Sequence, residues 1–380
     1  MPRFRMSSRV VGRLAQALQH PFVMCSSPPR VGIVAGSLDR LGGQEVQAAA
    51  LAAHLRDEGY DVVFVPISPR FPRGLGWLRA WPYARTVLNQ VLYLPSLRRL
   101  ARVDVVHVFS ASYWSFLLAA APALLAGRVY GKRVLLNYHS GEAADHLARW
   151  GALVHPWLRL AHTIVVPSVY LQRVFARHGY RAEVIANVVD LSRFHYRARA
   201  RVAPRLLSTR SLEPYYRIDV ILDAFRLVRE RYPDATLTVA GTGSEEPRLR
   251  QLAATLPAGA VRFLGPVAPP VMPAVCDEAD IFVNASVVDN QPLSVLEAFA
   301  AGLPVVSTNT GDLANMVRHG ETGLSVPAGE PAVLAKAVID LVENPERASG
   351  LAETARAEVS RFTWPRVRDA WVRAYVGGDA

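Results

Sequence analysis

Residues 281–307, IFVNASVVDNQPLSVLEAFAAGLPVVS, constrain the fold of this chain more than any other stretch. Ile281, Phe282 and Val283 form a short apolar run that reads as a buried strand, and 287–291 follow as a polar loop. Pro292 suits the first turn of a helix, where its missing N–H would have no intrahelical partner in any case. Leu293, Leu296, Ala300 and Ala301 recur at helical spacing, and Gly302 suits a helix stop. Residues 304–307 form the next buried strand. The segment therefore reads strand, loop, helix, strand.

The start of that helix has a chemistry of its own. The backbone N–H groups of Leu293, Ser294 and Val295 would be free there, making a site for an anion. Two carboxylates flank it, Asp289 in the loop and Glu297 in the first turns. A ligand with both phosphates and hydroxyls suits such a place, and a nucleotide-sugar has both: the helix end takes the diphosphate and the carboxylates accept from hydroxyls. The alternative is that both acids are solvated and Glu297 only complements the helix dipole.

The same grammar recurs along the chain. Residues 31–35 read as a strand, 36–43 as a loop, 44–58 as a helix ended by Gly59, and 61–65 as a second strand. This unit predicts a parallel, doubly wound sheet. Gly42 and Gly43 before the helix either let the backbone approach a phosphate or serve a tight turn. Strands are expected over 104–109 and 134–137, the latter delivering His139 at its C-terminal end, where open parallel sheets bind ligands. His107, mid-strand, reads as a core residue. A length of 380 residues fits two domains. We expect a basic arm over 1–29, a first α/β domain over 30–187, a linker over 188–204 where periodicity fails, a second α/β domain over 205–361, and a terminal helix over 362–380. Gly241-Thr242-Gly243 follows a strand but lacks the third glycine of a dinucleotide fingerprint, so it reads as a tight turn and weighs against a dinucleotide-dependent oxidoreductase.

Charge narrows the partners. The net charge is +11, carried almost wholly by arginine. No nucleic-acid motif is present, so lipid and phosphorylated ligands rank above nucleic acid, which we do not expect as a partner. No acidic residue occurs from Val62 to Val103, while Arg70, Arg73, Arg79, Arg85, Arg98, Arg99 and Arg102 alternate with Phe71, Trp77, Trp81, Tyr83 and Tyr93. That mixture suits an anionic membrane surface, or else a solvated basic face whose aromatics are core. Two cysteines exclude a disulfide framework and a cysteine zinc site. No secretory signal or transmembrane run is read, so the expected place is the cytoplasm, peripheral on the membrane's cytoplasmic face.

The segment 281–307 resembles the signature of the retaining GT4-type glycosyltransferases of GT-B fold. Asp289 and Glu297 are separated by seven residues, and Ala298 and the strand Gly302-Leu303-Pro304-Val305-Val306 follow. The family usually has Glu at the first acidic position. The resemblance extends over about 30–376. It implies two Rossmann-like domains facing across a cleft, with the terminal helix packing back on the first. It implies that Gly42 and Gly43 face the donor diphosphate and that His139 contacts the donor sugar. It places the loop of Val267 near the base, and Pro292, Leu293, Ser294 and Glu297 against the donor. It implies an Arg after the first strand of the second domain, matched by Arg210, and a Lys a few residues on. Tyr216 occupies the lysine's place, and Arg217 is the neighbouring cation expected to serve instead.

The expected chemistry is transfer of a sugar from a nucleotide-sugar donor to a glycan or lipid-linked acceptor, in envelope or exopolysaccharide assembly. Catalytic roles fall to Asp289, Glu297, His139 and Arg210. The nucleotide-sugar is a substrate, and no cofactor is expected. With no Asp-x-Asp motif, no metal is expected either. A catalytically silent GT-B binding protein and a GT-B nucleotide-sugar epimerase are the alternatives.

Overall fold

Short apolar runs become strands here because helices cover both faces of the sheets they join, as parallel sheets require. The structure, a computed structural model, describes residues 28–37, 42–72, 74, 77 and 81–377. Most of the expected basic arm, with Arg73 and Arg79, lies outside the described residues. The first sheet contains Val31–Ala35 (β1), Val62–Pro66 (β2), Val105–Ser110 (β3), Arg133–Tyr138 (β4), Thr163–Val166 (β5) and Ala182–Val184 (β6), in the order β2-β1-β3-β4-β5-β6. The second contains Arg205–Ser208 (β7), Thr236–Ala240 (β8), Val261–Gly265 (β9), Ile281–Asn284 (β10), Val305–Thr308 (β11) and Leu324–Val326 (β12), in the order β12-β11-β10-β7-β8-β9. All pairings are parallel; Phe282 of β10, for instance, sits between Leu207 and Val305.

Strand order reverses once in each sheet, between β1 and β3 and between β7 and β10. Ligand crevices of open α/β sheets lie at such points, beyond the carboxyl ends of the strands. Two Rossmann-like lobes result, and the helices Gly43–Asp57 (α1), Pro82–Ser96 (α2), Ala143–Leu158 (α3), Ile218–Arg231 (α4) and Leu293–Ala300 (α5) flank them.

The terminal helix Trp364–Val376 (α6) belongs to the first lobe. Its Val367, Trp371 and Tyr375 pack with Val31, Ile33, Leu55 and Val105, and the Tyr375 hydroxyl lies 2.9 Å from His107 Nδ1. His107 is thus a core residue with a partner. Burial, with His139 nearby, pushes its pKa down to about 3, so the ring is neutral.

The chain passes between lobes at 188–189. Val188 packs in the first lobe and Val189 in the second. Residues beyond Val189, expected as a linker, are instead built into the second lobe. Phe194 joins its core. Arg199, almost fully buried, donates to the carbonyls of Ala279 (3.0 Å), Ala301 (3.1 Å) and Gly302 (2.6 Å). Buried Asp280 balances it at 3.4 Å and also pairs with Arg197 (2.9 Å) and Arg205 (2.7 Å). A guanidinium this deep needs both a counter-charge and acceptors.

The arginine-rich stretch divides. Tyr93 is core, its hydroxyl donating to Ala119 O at 2.6 Å. Tyr83, Val87, Val91 and Leu94 lie at helical spacing on the other side of α2 and are exposed, by 89%, 64%, 60% and 47%. Among the described residues no helix is long and apolar enough to cross a membrane.

Candidate active site

Both strand-order reversals open onto one cleft of about 890 Å³ between the lobes. The first lobe lines it with Gly42, Gly43, Ser112, His139 and Glu142. The second contributes Arg210, Tyr215, Tyr216, Val267, Asp289, Pro292, Leu293, Ser294 and Glu297.

Arg210 follows β7 at the reversal in the second sheet. Its Nη2 donates to Asp289 Oδ2 at 2.8 Å and its Nη1 to Ser294 Oγ at 3.0 Å. The guanidinium lies 4.1 Å from the centre of the Tyr216 ring. Its Nε is buried with no partner among the described residues. Burial alone would lower its pKa, but the Asp289 carboxylate and the two tyrosines raise it, so the charge is secure. Gly241 belongs to this support. With φ at 141°, a β-carbon there would come within 2.2 Å of Arg210 O, so glycine lets the turn after β8 pass beneath the arginine's backbone.

Asp289 thus holds Arg210 with one oxygen. Its other oxygen accepts from the Asn290 N–H at 3.0 Å. Glu297, one turn into α5, is 8% exposed and lines the cleft. Burial raises its carboxyl pKa to about 7, with Arg193 acting in the opposite direction. Helix α5 begins one residue later than its proline suggests. Pro292 caps it, and the Val295 N–H donates to Pro292 O at 3.2 Å. That corrects the expectation that this N–H is free.

Arg217 does not line the cleft. It sits in the left-handed region (φ 50°) between the turn Pro214–Tyr216 and α4, and its Nε donates to Asp219 Oδ1 at 3.0 Å. That turn carries the guanidinium to Asp219 and leaves the Tyr216 ring against Arg210. The expected replacement of a lysine by Arg217 is therefore corrected: an aromatic face occupies the place.

On the first-lobe side, the Glu45 carboxylate packs over Gly42 so closely that a β-carbon would lie 2.2 Å from its oxygen; a β-carbon at Gly43 would meet none of the described residues within 4 Å. His139 stacks against Phe109 with centres 5.2 Å apart. Its Nε2 is buried without a partner among the described residues, and burial lowers its pKa to about 4, so the ring is neutral.

The lobes are clasped beside the cleft. The Asn187 N–H donates to Gln291 Oε1 at 2.5 Å, and Asn187 Nδ2 donates to Gln291 O at 2.8 Å. Ser168 Oγ donates to Asn290 Oδ1, and Asn290 Nδ2 donates to His139 O at 3.4 Å. Gln47 of α1 holds both the N–H and the carbonyl of Val188 at 2.8 Å. Sequence reasoning missed Asn187, Asn290, Gln291, Tyr215 and Glu142 as site residues. Glu142 had a signal, since it follows the strand-end His139 by three positions. Among the described residues no group of three or more His, Cys, Asp or Glu side chains converges as a metal cluster.

Comparison with known proteins places this geometry. The model described as Glycosyltransferase Family 4 matches residues 41–193, and that of Glycosyl transferases group 1 matches 203–344. Glycogen synthase of Mycobacterium tuberculosis is 31% identical over 297 residues, covering 72% of this chain and 69% of that protein. Phosphatidyl-myo-inositol mannosyltransferase of Mycobacterium leprae is 26% identical over 373 residues, covering 91% of this chain and 96% of its own length. Among solved structures, HepE of Anabaena in complex with UDP and glucose aligns with a TM-score of 0.72 at 18% identity, covering 92% of this chain and 100% of that one.

Proposed function

Because the chain belongs to the GT4-like glycosyltransferases and moves a sugar from a nucleotide-sugar donor, we propose that it does so with retention, without a metal ion, onto a glycan or lipid-linked acceptor at a membrane surface. The observation that carries this reading is Arg210, an arginine held in the cleft by Asp289 and Ser294 beside the N-terminus of α5. A departing nucleoside diphosphate concentrates negative charge as the glycosidic bond breaks. Fixed cationic and N–H donors aimed at those oxygens stabilise the transition state more than the ground state.

In this mechanism Glu297 accepts from the ribose hydroxyls of the donor. Asp289 fixes the arginine and keeps lone pairs for the transferred sugar. Neutral His139 donates or accepts at the sugar from the first lobe. The acceptor hydroxyl attacks the anomeric carbon from the face the phosphate leaves. The carbon–phosphate oxygen bond breaks, the carbon–acceptor oxygen bond forms, and the acceptor's proton goes to the departing diphosphate. Arg210 supplies the positive charge that this route requires in place of a cation from solution.

The exposed face of α2 supports the membrane part. Exposed Arg85 lies on the same helix and exposed Arg98, Arg99 and Arg102 follow it in the chain, within a run from Val62 to Val103 that has no acidic residue, which fits anionic headgroups at the cytoplasmic leaflet of an envelope-building cell.

A thermal-shift screen against a panel of nucleotide-sugars tests the core of the reading. Ligand at about 100 times its Kd stabilises the native state by roughly 2.7 kcal/mol, so one donor should raise the melting point clearly. Turnover of that donor should survive EDTA. No stabilising donor and no transfer or donor hydrolysis would remove the proposal. A rate that needs an added divalent cation would remove its metal-free part.

A further inference from the structure

A second cavity of about 300 Å³ opens off the transfer cleft. It shares Gly141, Glu142, Val288 and Asp289 with the cleft; Tyr113, Asp145 and Tyr170 add polar side chains, and Ala144 lies between them. We propose that this cavity is the acceptor subsite and that it takes a neutral polyhydroxy group, a sugar ring or polyol, rather than a phosphorylated one. The proposal rests on the transferase reading above.

Position argues first. The cavity adjoins the Asp289 side of the cleft, so a hydroxyl of a group seated there can enter the transfer cleft past Glu142. Its size lies at the low end for small-molecule sites, which run from roughly 300 to 1,000 Å³, and suits one ring.

Charge argues second. The protein carries a net +11, and yet no Arg or Lys is among the described residues that line this cavity. The lining instead offers the carboxylates of Glu142, Asp145 and Asp289. Burial, with Asp145 adjacent, already raises the Glu142 pKa. A phosphate brought here would meet carboxylates first, because the nearest cations are already paired behind them, Arg149 with Asp145 at 3.6 Å and Arg210 with Asp289 at 2.8 Å. Hydroxyl groups are donors, and carboxylates accept from them.

Aromatic shape argues third. Tyr113 is held in the left-handed region (φ 56°), a conformation that non-glycine residues keep where the surroundings enforce it. Its hydroxyl donates to Asp145 Oδ2 at 2.5 Å, which fixes both groups. The ring meets Trp150 edge-on with centres 5.6 Å apart, and Trp150 meets Trp114, 65% exposed, at 5.2 Å. The result is an aromatic rim running outward from the cavity, an apolar surface for the C–H faces of further sugar units.

The test uses the full chain with a donor found by the screen above. Matched probe pairs are methyl α-D-glucopyranoside against glucose 6-phosphate, methyl α-D-mannopyranoside against mannose 6-phosphate, and myo-inositol against myo-inositol 1-phosphate. Donor-dependent transfer and saturation-transfer NMR with donor bound are both read. The neutral member of at least one pair should be used or bound at least tenfold better than its phosphorylated mate. Asp145→Asn should weaken that neutral probe about tenfold while donor affinity and donor hydrolysis stay at wild-type levels. Ala144→Arg, at an exposed position, should shift preference toward the phosphorylated mate, again without changing donor binding. Phosphorylated probes favoured by the wild type, or no probe engaged while donor is bound and hydrolysed, would overturn the proposal and leave the transferase reading standing. Failure to bind any donor would overturn both, and the donor-only arm shows this separately.

Discussion

Arg210 and Asp289 meet at 2.8 Å across the strand-order reversal of the second sheet, one following β7 and the other following β10. Both are nearly buried. The pair joins two strands that are neighbours in space but far apart in sequence, at the point where a parallel sheet opens to ligand. Removing either partner leaves the other as an uncompensated charge in the cleft.

Arg210→Ala should lower kcat by about 10²–10³-fold, the usual loss when a preorganised donor to a developing anion is removed. Asp289→Asn keeps a hydrogen bond to the guanidinium and should cost less, with a rise in donor KM. Steady-state kinetics with the identified donor decide this. Wild-type turnover in Arg210→Ala would remove the phosphate clamp.

Glu297 sets a pH dependence of stability. Its folded pKa, about 7, stands above the ordinary carboxyl value of 4.5, so the native state holds the proton more tightly than the unfolded chain. Its contribution is complete below pH 4.5 and is lost as pH rises toward and through 7. The span is on the order of 3 kcal/mol. Glu297→Gln should therefore melt higher than wild type at pH 8 and close to it at pH 4.5, while losing donor affinity. Equal melting points at pH 8 would contradict the burial argument.

Much of this site can be read from residue order, and the reason is physical. Buried parallel strands are short and apolar on both faces, and each delivers its next residue to the ligand side of the sheet. That rule brings His139, Arg210 and the segment 289–297 to the ligand side of the sheets, and the resemblance supplied the roles of His139 and Arg210. What escapes it depends on a single backbone angle or on distant pairing. The left-handed Arg217 decides that the Tyr216 ring, not its own guanidinium, faces Arg210. Nothing in local periodicity marks it. Asn187 and Gln291 are 104 positions apart, and a polar pair of that kind has no repeat to reveal it. The densely arginine segment after Val189 looks like linker for the same reason: Arg199 is buried through carbonyls it meets only in the folded lobe.

The Asn187–Gln291 clasp predicts a conformational effect. Gln291→Ala removes the acceptor from the Asn187 N–H, a loss of about 1–3 kcal/mol where the group stays buried. The two lobes should then spend more time apart. Small-angle scattering should show a larger radius of gyration for the free variant, and donor affinity should fall about tenfold. Unchanged scattering would mean that the clasp does not hold the lobes.

The stripe on α2 predicts a membrane phenotype. Wild type should float with vesicles containing anionic lipid at low salt and less so at high salt, because each arginine near the surface contributes about 1 kcal/mol that salt screens. Tyr83→Ser combined with Val87→Ser should lose most flotation at either salt while keeping transfer to a soluble acceptor. Failure of the wild type to float at low salt would count against the surface reading.

The backbone goes from one lobe to the other twice, once at Val188–Val189 and again between Phe362 and Trp364, and the Val189 N–H donates to Phe362 O at 2.8 Å. The two passes are thus tied side by side like the leaves of a door hinge. A single tether would allow the halves to swing, twist and drift. This two-ply joint restrains twist and drift between the halves more than one strand of backbone would, which keeps the cleft walls in register.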